Sequence, residues 1–299
     1  MNSIKISVVI GTYNQKDKLK RVLDSFFSQT MPSSDYEIIV VDSGSTDGSQ
    51  ELMNSCSPDC GYRPIVQKNE GKSGARNRGV REANGKYIII TDADMIADRD
   101  FIKTHYDAHL ETSDPTCFEG VTYNMTEYHW PPETKKIYPY ITRNYPDKKS
   151  LGWYYFLTGN ISFPKELFLS VNGFDMDFQN YGWEDIEMGY RLFQKNIPLR
   201  YLKGAINYHY HVISKEEEVD RNVDKGDSAR ILLRKHPELK WFLGLNPLSI
   251  WVFNKIFPEG RIYNRIKEHW SNSTVTLKRN FSFWFLKEYH YLKGILGKK

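Results

Sequence analysis

Four polar clusters in the sequence carry side chains suited to chemistry. Asp92-Ala93-Asp94 closes an apolar run at residues 87–91. Two carboxylates one residue apart at a strand's carboxyl end can share one ligand while doing different work. One accepts hydrogen bonds from a sugar hydroxyl, and the other binds a hard divalent cation such as Mg2+ or Mn2+. A metal-bridged diphosphate needs few protein ligands, because phosphate and water oxygens supply the rest. Aspartate is also common in turns and helix caps, so the pair takes its meaning from the buried strand in front of it. The second cluster is Gly182-Trp183-Glu184-Asp185-Ile186-Glu187. Its three acids open an amphipathic helix, where the positive end of the helix dipole suffices to explain Glu187. Gly182-Trp183 adds a hinge and a large aromatic beside two carboxylates, which suits a sugar platform with one acid as general base.

Two weaker clusters accompany these. The stretch 71–79 (Gly71, Lys72, Ser73, Gly74, Ala75, Arg76, Asn77, Arg78, Gly79) is a glycine-rich, basic helix start. It suits an anion held by amide N–H groups and guanidinium forks, and reads equally as a turn followed by surface charge. His209 and His211 stand two apart on a strand-like segment, so both imidazoles fall on one face, as metal ligands require.

Positioning these groups falls to an alternating set of elements. Short β-rich runs occur at 6–10, 37–41, 64–67 and 87–91, separated by helix-like segments at 16–29, 47–53 (with Asp47 as N-cap) and 74–83. Unalternating apolar runs between amphipathic helices predict a parallel sheet covered on both faces, doubly wound, with ligands at the carboxyl ends of the strands. Farther on, 98–111 reads as a helix and 116–122 as a strand. Residues 123–152 read as a long Tyr- and Pro-rich loop, 164–171 and 184–194 as helices, and 206–212 as a strand. After Ser214 the pattern is helical and charged, which places the main domain at 1–213 and a helical extension at 214–299.

Several enzyme classes are excluded by absent motifs. Gly71-Lys72-Ser73 has Val66 where a P-loop needs glycine, and Gly11-Thr12-Tyr13-Asn14 replaces the Gly-x-Gly-x-x-Gly of a dinucleotide-binding turn. No Gly-x-Ser-x-Gly elbow or His-Glu-x-x-His helix occurs.

Composition sets broader limits. The chain has 299 residues, 40% hydrophobic and 26% charged, with a mean hydropathy of −0.59, which excludes a disordered or collagen-like chain. Cys56, Cys60 and Cys117 are too few for a disulfide framework and favour a reducing compartment. The N-terminus runs directly into a strand, leaving no room for a signal peptide, and no run of eighteen apolar residues exists. A cytoplasmic location follows as the expectation. The net charge of +4 is unevenly spread: residues 250–299 hold ten Lys/Arg against three Glu, so the other 249 residues sum to −3.

Taken in order, the blocks Ser7-Val8-Val9-Ile10-Gly11-Thr12-Tyr13-Asn14, Ile38-Ile39-Val40-Val41-Asp42-Ser43-Gly44-Ser45, Gly74-Ala75-Arg76-Asn77-Arg78-Gly79 and Tyr87-Ile88-Ile89-Ile90-Thr91-Asp92-Ala93-Asp94 resemble the inverting family 2 glycosyltransferases of the GT-A fold. A fifth block runs from Thr158-Gly159-Asn160 through Gly173-Phe174-Asp175 to Trp183-Glu184-Asp185, and its end looks like the carboxy-terminal half of galactosyl- and N-acetylgalactosaminyltransferases. The resemblance implies that Thr12, Tyr13, Asn14 and Asp42 line a nucleotide-base pocket, usually for uracil. It puts Arg76 against the base or diphosphate, Asp92 at the ribose, and Asp94 on the metal, helped by His209 or His211. Asp185 becomes the catalytic base, with Glu184 and Trp183 orienting the acceptor sugar. Ser43 stands where many relatives carry a second aspartate. The implied reaction moves a sugar from a nucleotide sugar, UDP-linked by preference, to a saccharide or lipid-linked glycan, with Mn2+ or Mg2+ as cofactor.

The extension interleaves Trp251, Phe253, Phe257, Trp270, Phe281, Trp284, Phe285 and Tyr291 with Lys and Arg. Such a stretch either docks on an anionic membrane as interfacial helices or packs its aromatics inward with charges outward. Nucleic acid is not an expected partner, since no recognition module occurs and the body is acidic. The competing non-enzymatic reading is a nucleotide-sugar-binding or membrane-associated scaffold; intact acids in both carboxylate clusters argue against it.

Overall fold

Ser7-Val8-Val9-Ile10 offers no polar position for solvent, and it forms the centre of strand β1 (Ile6–Thr12), flanked on both sides. This follows from the computed structural model of the chain, which describes residues 3–125, 127–128, 131–132, 137–139, 145–179, 181–210, 214–255, 261–272 and 276–297. Strands β2 (Tyr36–Asp42), β3 (Gly61–Val66) and β4 (Tyr87–Asp92) join β1 in the order β3-β2-β1-β4, every pair parallel. Alternate residues serve opposite faces. Ile6, Val8, Ile10, Ile38 and Val40 enter one core with helices α1 (Lys16–Phe27) and α4 (Phe101–Leu110). Val9, Ile39, Val41, Ile88 and Ile90 enter the other, with α3 (Gly71–Glu82), α5 (Lys165–Ser170) and α6 (Glu184–Gln194). Both faces are covered, as unalternating apolar strands require.

The remaining strands are β5 (Met95–Ala97), β6 (Cys117–Met125), β7 (Ile137–Pro139), β8 (Ser150–Leu151), β9 (Ile161–Pro164) and β10 (Leu199–His209). The sheet continues β4-β9-β6-β10-β5. β9 runs antiparallel to both β4 and β6, β6 and β10 are parallel, and β5 returns antiparallel to β10. The α/β doubly wound class therefore stands, in a sheet whose wholly parallel part is the first four strands. β10 begins well before the apolar signal at 206, across an irregularity between Tyr201 and Ile206. Helix α2 (Ser49–Ser55) starts later than the sequence suggests. Asp47 does not cap it: Gly48, at φ 88°, precedes the helix. The Asp47 carboxylate instead accepts from the Lys16 amide at 2.9 Å and the Ser49 amide at 3.1 Å. Of the long loop, residues 126, 129–130, 133–136 and 140–144 lie outside the described part.

The chain divides into two compact units, one of Met1–Met176 with Asp185–Val212, the other of Asp177–Glu184 with Ile213–Lys299. In the second, α7 (Lys215–Lys235) opens with a reciprocal capping box between Ser214 and Glu217. It packs closely on α10 (Thr276–Ile295), where a Cβ on Gly226 would stand 2.2 Å from the Tyr291 carbonyl. With α8 (Pro247–Lys255) and α9 (Arg261–Asn272), these helices enclose Val219, Phe253, Trp270, Phe285, Leu286 and Tyr289. Trp251, Phe281 and Trp284 are exposed, so the aromatics of the extension divide between core and surface; Phe257 lies outside the described residues. No described helix is long and apolar enough to cross a membrane.

Candidate active site

Each conspicuous polar motif of the first hundred residues lies at the carboxyl end of a parallel strand. In register, Thr12 faces Asp42 across β1–β2, and Gly11 faces Asp92 across β1–β4. Strand order reverses between β1 and β4, which is where open α/β sheets leave a crevice.

Asp42 builds one wall. Fully buried, its carboxylate accepts the Gly44 amide at 3.0 Å, the Ser45 amide at 2.9 Å, Gln50 Nε2 at 3.1 Å and the Ser45 hydroxyl. Ser45 Oγ in turn accepts the Asn14 amide at 2.8 Å, and Asn14 Oδ1 accepts the Thr46 amide at 2.8 Å. Asn14 takes φ 50°, a left-handed conformation that asparagine tolerates. The two loops are thus laced together, Tyr13 is left half exposed at their tip, and Thr12 Oγ1 is buried without a hydrogen-bond partner among the described residues. Such an atom costs roughly 1–3 kcal/mol unless something satisfies it, and a bound polar ligand would.

The second wall comes from α3. Gly79 lets this helix lie against the sheet, since a Cβ there would stand 2.4 Å from Val9 Cγ1. The close approach buries Arg76 to 2% exposure, where its Nη2 donates to Asp92 Oδ1 at 2.8 Å and its guanidinium lies 5.7 Å from the Phe174 ring. Neighbouring Asn77 exchanges both amide bonds with Phe174, at 2.8 and 2.9 Å. Arg191 of α6 reaches the same turn, donating to the carbonyls of Val171 and, at 2.8 Å, Gly173. It also makes a two-bond ion pair with buried Glu187, both contacts at 2.8 Å. The turn 171–174 therefore ties α3 to α6, the helix whose first turn carries Asp185. Asp185 is half-buried, and its Oδ1 accepts the Ile186 amide at 2.8 Å.

Asp94 belongs to a different ladder from Asp92. Two residues after β4 ends, the chain pairs with β10, with Met95 opposite His209 and the Tyr210 amide donating to the Asp94 carbonyl at 2.9 Å. Asp94 Oδ2 consequently faces His209 Nε2 at 3.5 Å, and His209 Nδ1 lies 3.1 Å from Asn124 Oδ1. A carboxylate and an imidazole nitrogen at this spacing fit a divalent cation that takes its remaining ligands from phosphate and water. Among the described residues no three His, Cys, Asp or Glu side chains form a complete cage. His211 lies outside the described residues.

Trp183 and Glu184 group with the second unit. Trp183, at φ 73° and 9% exposed, donates its indole N–H to the Lys225 carbonyl at 2.9 Å and meets Phe242 and Tyr291 with its ring. The indole is held as an anchor, with little open face. Glu184 is likewise buried. Asn77 and Glu187 stand in clusters that the sequence marks, but their partners do not show there; an arginine four residues after Glu187 is the available hint, and Asn124 carries none.

Glycosyl transferase family 2 matches residues 7–169, and a second family, described as the N-terminal domain of galactosyltransferase, matches residues 140–215. Validoxylamine A glucosyltransferase of Streptomyces hygroscopicus subsp. limoneus is 29% identical over 78% of the chain, which spans 57% of that relative's length. Among solved structures, the mannosyltransferase PcManGT of Pyrobaculum calidifontis, in complex with GDP-Man and Mn2+, aligns with a TM-score of 0.64 at 16% identity, covering 100% of this chain and 89% of its own. TarS of S. aureus, in complex with UDP, aligns at 0.58 and 14% identity, covering 98% and 91%. With the GT-A architecture of these neighbours and a family match spanning more than half its length, the chain belongs to glycosyl transferase family 2.

Proposed function

We propose that this chain is an inverting, divalent-metal-dependent glycosyltransferase that moves a hexose from a nucleotide sugar, UDP-linked by preference, to a hydroxyl of a saccharide or lipid-linked glycan. The observation that carries the reading is Asp94 facing His209 at the carboxyl end of the sheet, beside the Arg76–Asp92 pair. Thr12, Tyr13, Asn14 and Asp42 shape the base pocket, with the buried Thr12 hydroxyl available to the ligand. Arg76 and Asp92 meet the donor's diphosphate and ribose. Asp94 and His209 hold Mn2+ or Mg2+, which when bound neutralises charge on the departing diphosphate. Asp185 accepts the proton of the acceptor hydroxyl as that oxygen bonds to the anomeric carbon and the bond to diphosphate breaks, inverting the centre. Glu184 and Trp183 position the acceptor.

Donor hydrolysis and transfer, measured over a UDP- and GDP-sugar panel with Mn2+, test this. Asp185→Asn should lower turnover about 10²–10⁴-fold with UDP affinity retained, and excess EDTA should abolish activity. Near wild-type turnover in Asp185→Asn removes the base assignment. UDP binding without turnover on any donor favours the scaffold reading. Exposed Trp251, Phe281 and Trp284 in a basic extension also support docking on an anionic membrane face. Full-length protein should then float with anionic liposomes, and Trp251→Ser with Trp284→Ser should not.

A further inference from the structure

The polar side chains between β6 and β10 form a column that sugar transfer alone does not require. His209 and Asn124 are register partners on this parallel pair, as are Asn207 and Thr122 one rung below. Residues two apart on a strand share a face, so the two rungs stack. In the lower one, Thr122 Oγ1 donates to Asn207 Oδ1 at 2.7 Å, and Asn207 Nδ2 donates to the Gly159 carbonyl at 2.7 Å. Thr91 Oγ1 donates to the same carbonyl at 2.9 Å. Asn207 and Thr91 are both fully buried. The lower rung thus joins the residue before Asp92 to the strand position two before His209, across the intervening β9 and β6. Every polar atom in it is used, and a satisfied buried network rigidifies what it joins.

The upper rung has a consequence for the imidazole. An amide oxygen only accepts, so the Nδ1–Asn124 bond places the ring proton on Nδ1 and the lone pair on Nε2. Nε2 is the nitrogen that faces Asp94 Oδ2 at 3.5 Å. Neutral imidazole binds a metal through its unprotonated nitrogen, and the bond made by the other nitrogen selects the tautomer and aims the ring. We propose that Asn124 is a positioning residue that fixes His209 in its Nδ1-protonated form and presents Nε2 to the divalent cation beside Asp94. The Asn207–Thr122–Gly159–Thr91 rung holds the two strands at the spacing this requires. The inference rests on the metal reading above and adds to it the residue that makes His209 a competent ligand.

Nitrogen-15 NMR of the full-length, metal-free protein reads the tautomer directly, with His209 identified by its loss in His209→Gln. Mn2+ affinity is measured in parallel by electron paramagnetic resonance. The wild type should show Nδ1 protonated. Asn124→Leu, close in volume and without an acceptor, should move the proton toward Nε2 and weaken Mn2+ binding about 10–100-fold. Asn124→Asp, which keeps the acceptor, should hold both near wild type. A wild-type His209 protonated on Nε2 overturns the proposal whether or not any variant folds. So does unchanged Mn2+ affinity in Asn124→Leu when Asp94→Asn has lost binding. Unchanged affinity in both variants overturns the metal reading as well.

Discussion

Two regions of the sheet bury polar groups to opposite ends. Behind the carboxyl edge, charged and polar side chains are enclosed and matched to one another. Glu187 pairs with Arg191 through two bonds. His105 and His109 of α4 share Ser162 Oγ at 2.9 Å each, while His105 Nε2 lies 2.9 Å from Asn160 Oδ1. At the edge itself, Asp94 and His209 face each other at 3.5 Å, too long for a good hydrogen bond. The first region spends its polarity on rigidity and the second holds donors at ligand spacing. Substitutions should therefore divide cleanly: inner ones change stability, edge ones change metal binding and turnover.

The largest expected effect lies inside. Glu187→Gln leaves the Arg191 guanidinium without its carboxylate among buried carbonyls, and should cost about 3–5 kcal/mol in denaturant unfolding. A loss below about 1 kcal/mol would show that the turn 171–174 does not depend on this pair. At the edge, Asp94→Asn should lower turnover about 10²–10³-fold while changing unfolding free energy by less than about 1 kcal/mol. A comparable loss of stability would erase the distinction between the regions.

Acid offers a graded test. Burial pushes the His105 imidazole down to about 4, and burial with the nearby charges of His105 and Lys86 pushes His109 down to about 3, from an ordinary value of 6.5. As pH falls below 6.5 the unfolded chain takes up these protons and the folded chain does not. Stability present above pH 6.5 is therefore lost toward pH 4, by up to about 1.4 kcal/mol per pH unit for each histidine. His105→Gln should flatten the slope of unfolding free energy against pH over that range; an unchanged slope would mean that other groups dominate. The smallest effect expected is in the second unit, where Ser214→Ala removes the capping box of α7 and should cost about 1 kcal/mol, with turnover unaffected.

The burial pattern explains which parts were legible from sequence. The run at 6–10, the amphipathic α1 and the acids at 92 and 94 are local signals, because hydrophobic periodicity and strand-end polarity need only neighbouring residues. The start of β10 was hidden, since Lys203 and Gly204 are exposed beside an irregularity in the ladder and carry no apolar pattern. The role of Asp47 is not local, since its carboxylate accepts from the Lys16 amide, 31 residues away. The hold on Trp183 is equally non-local: its indole N–H donates to the Lys225 carbonyl, 42 residues along the chain.

By itself the sequence determined the doubly wound α/β class, the strand ends that carry polar groups, and the ordered blocks that mark the family. Only the tertiary structure decided what those groups face. It sent Asp92 to Arg76 and Asp94 to His209 by moving the chain from β4 onto the β10 ladder within two residues. It bound the turn 171–174 to both α3 and α6, and it placed Asn124 opposite His209. The physical reason is that periodicity encodes which side of an element is buried. Hydrogen-bond partnership depends on strand order and register, which are settled when the whole sheet closes.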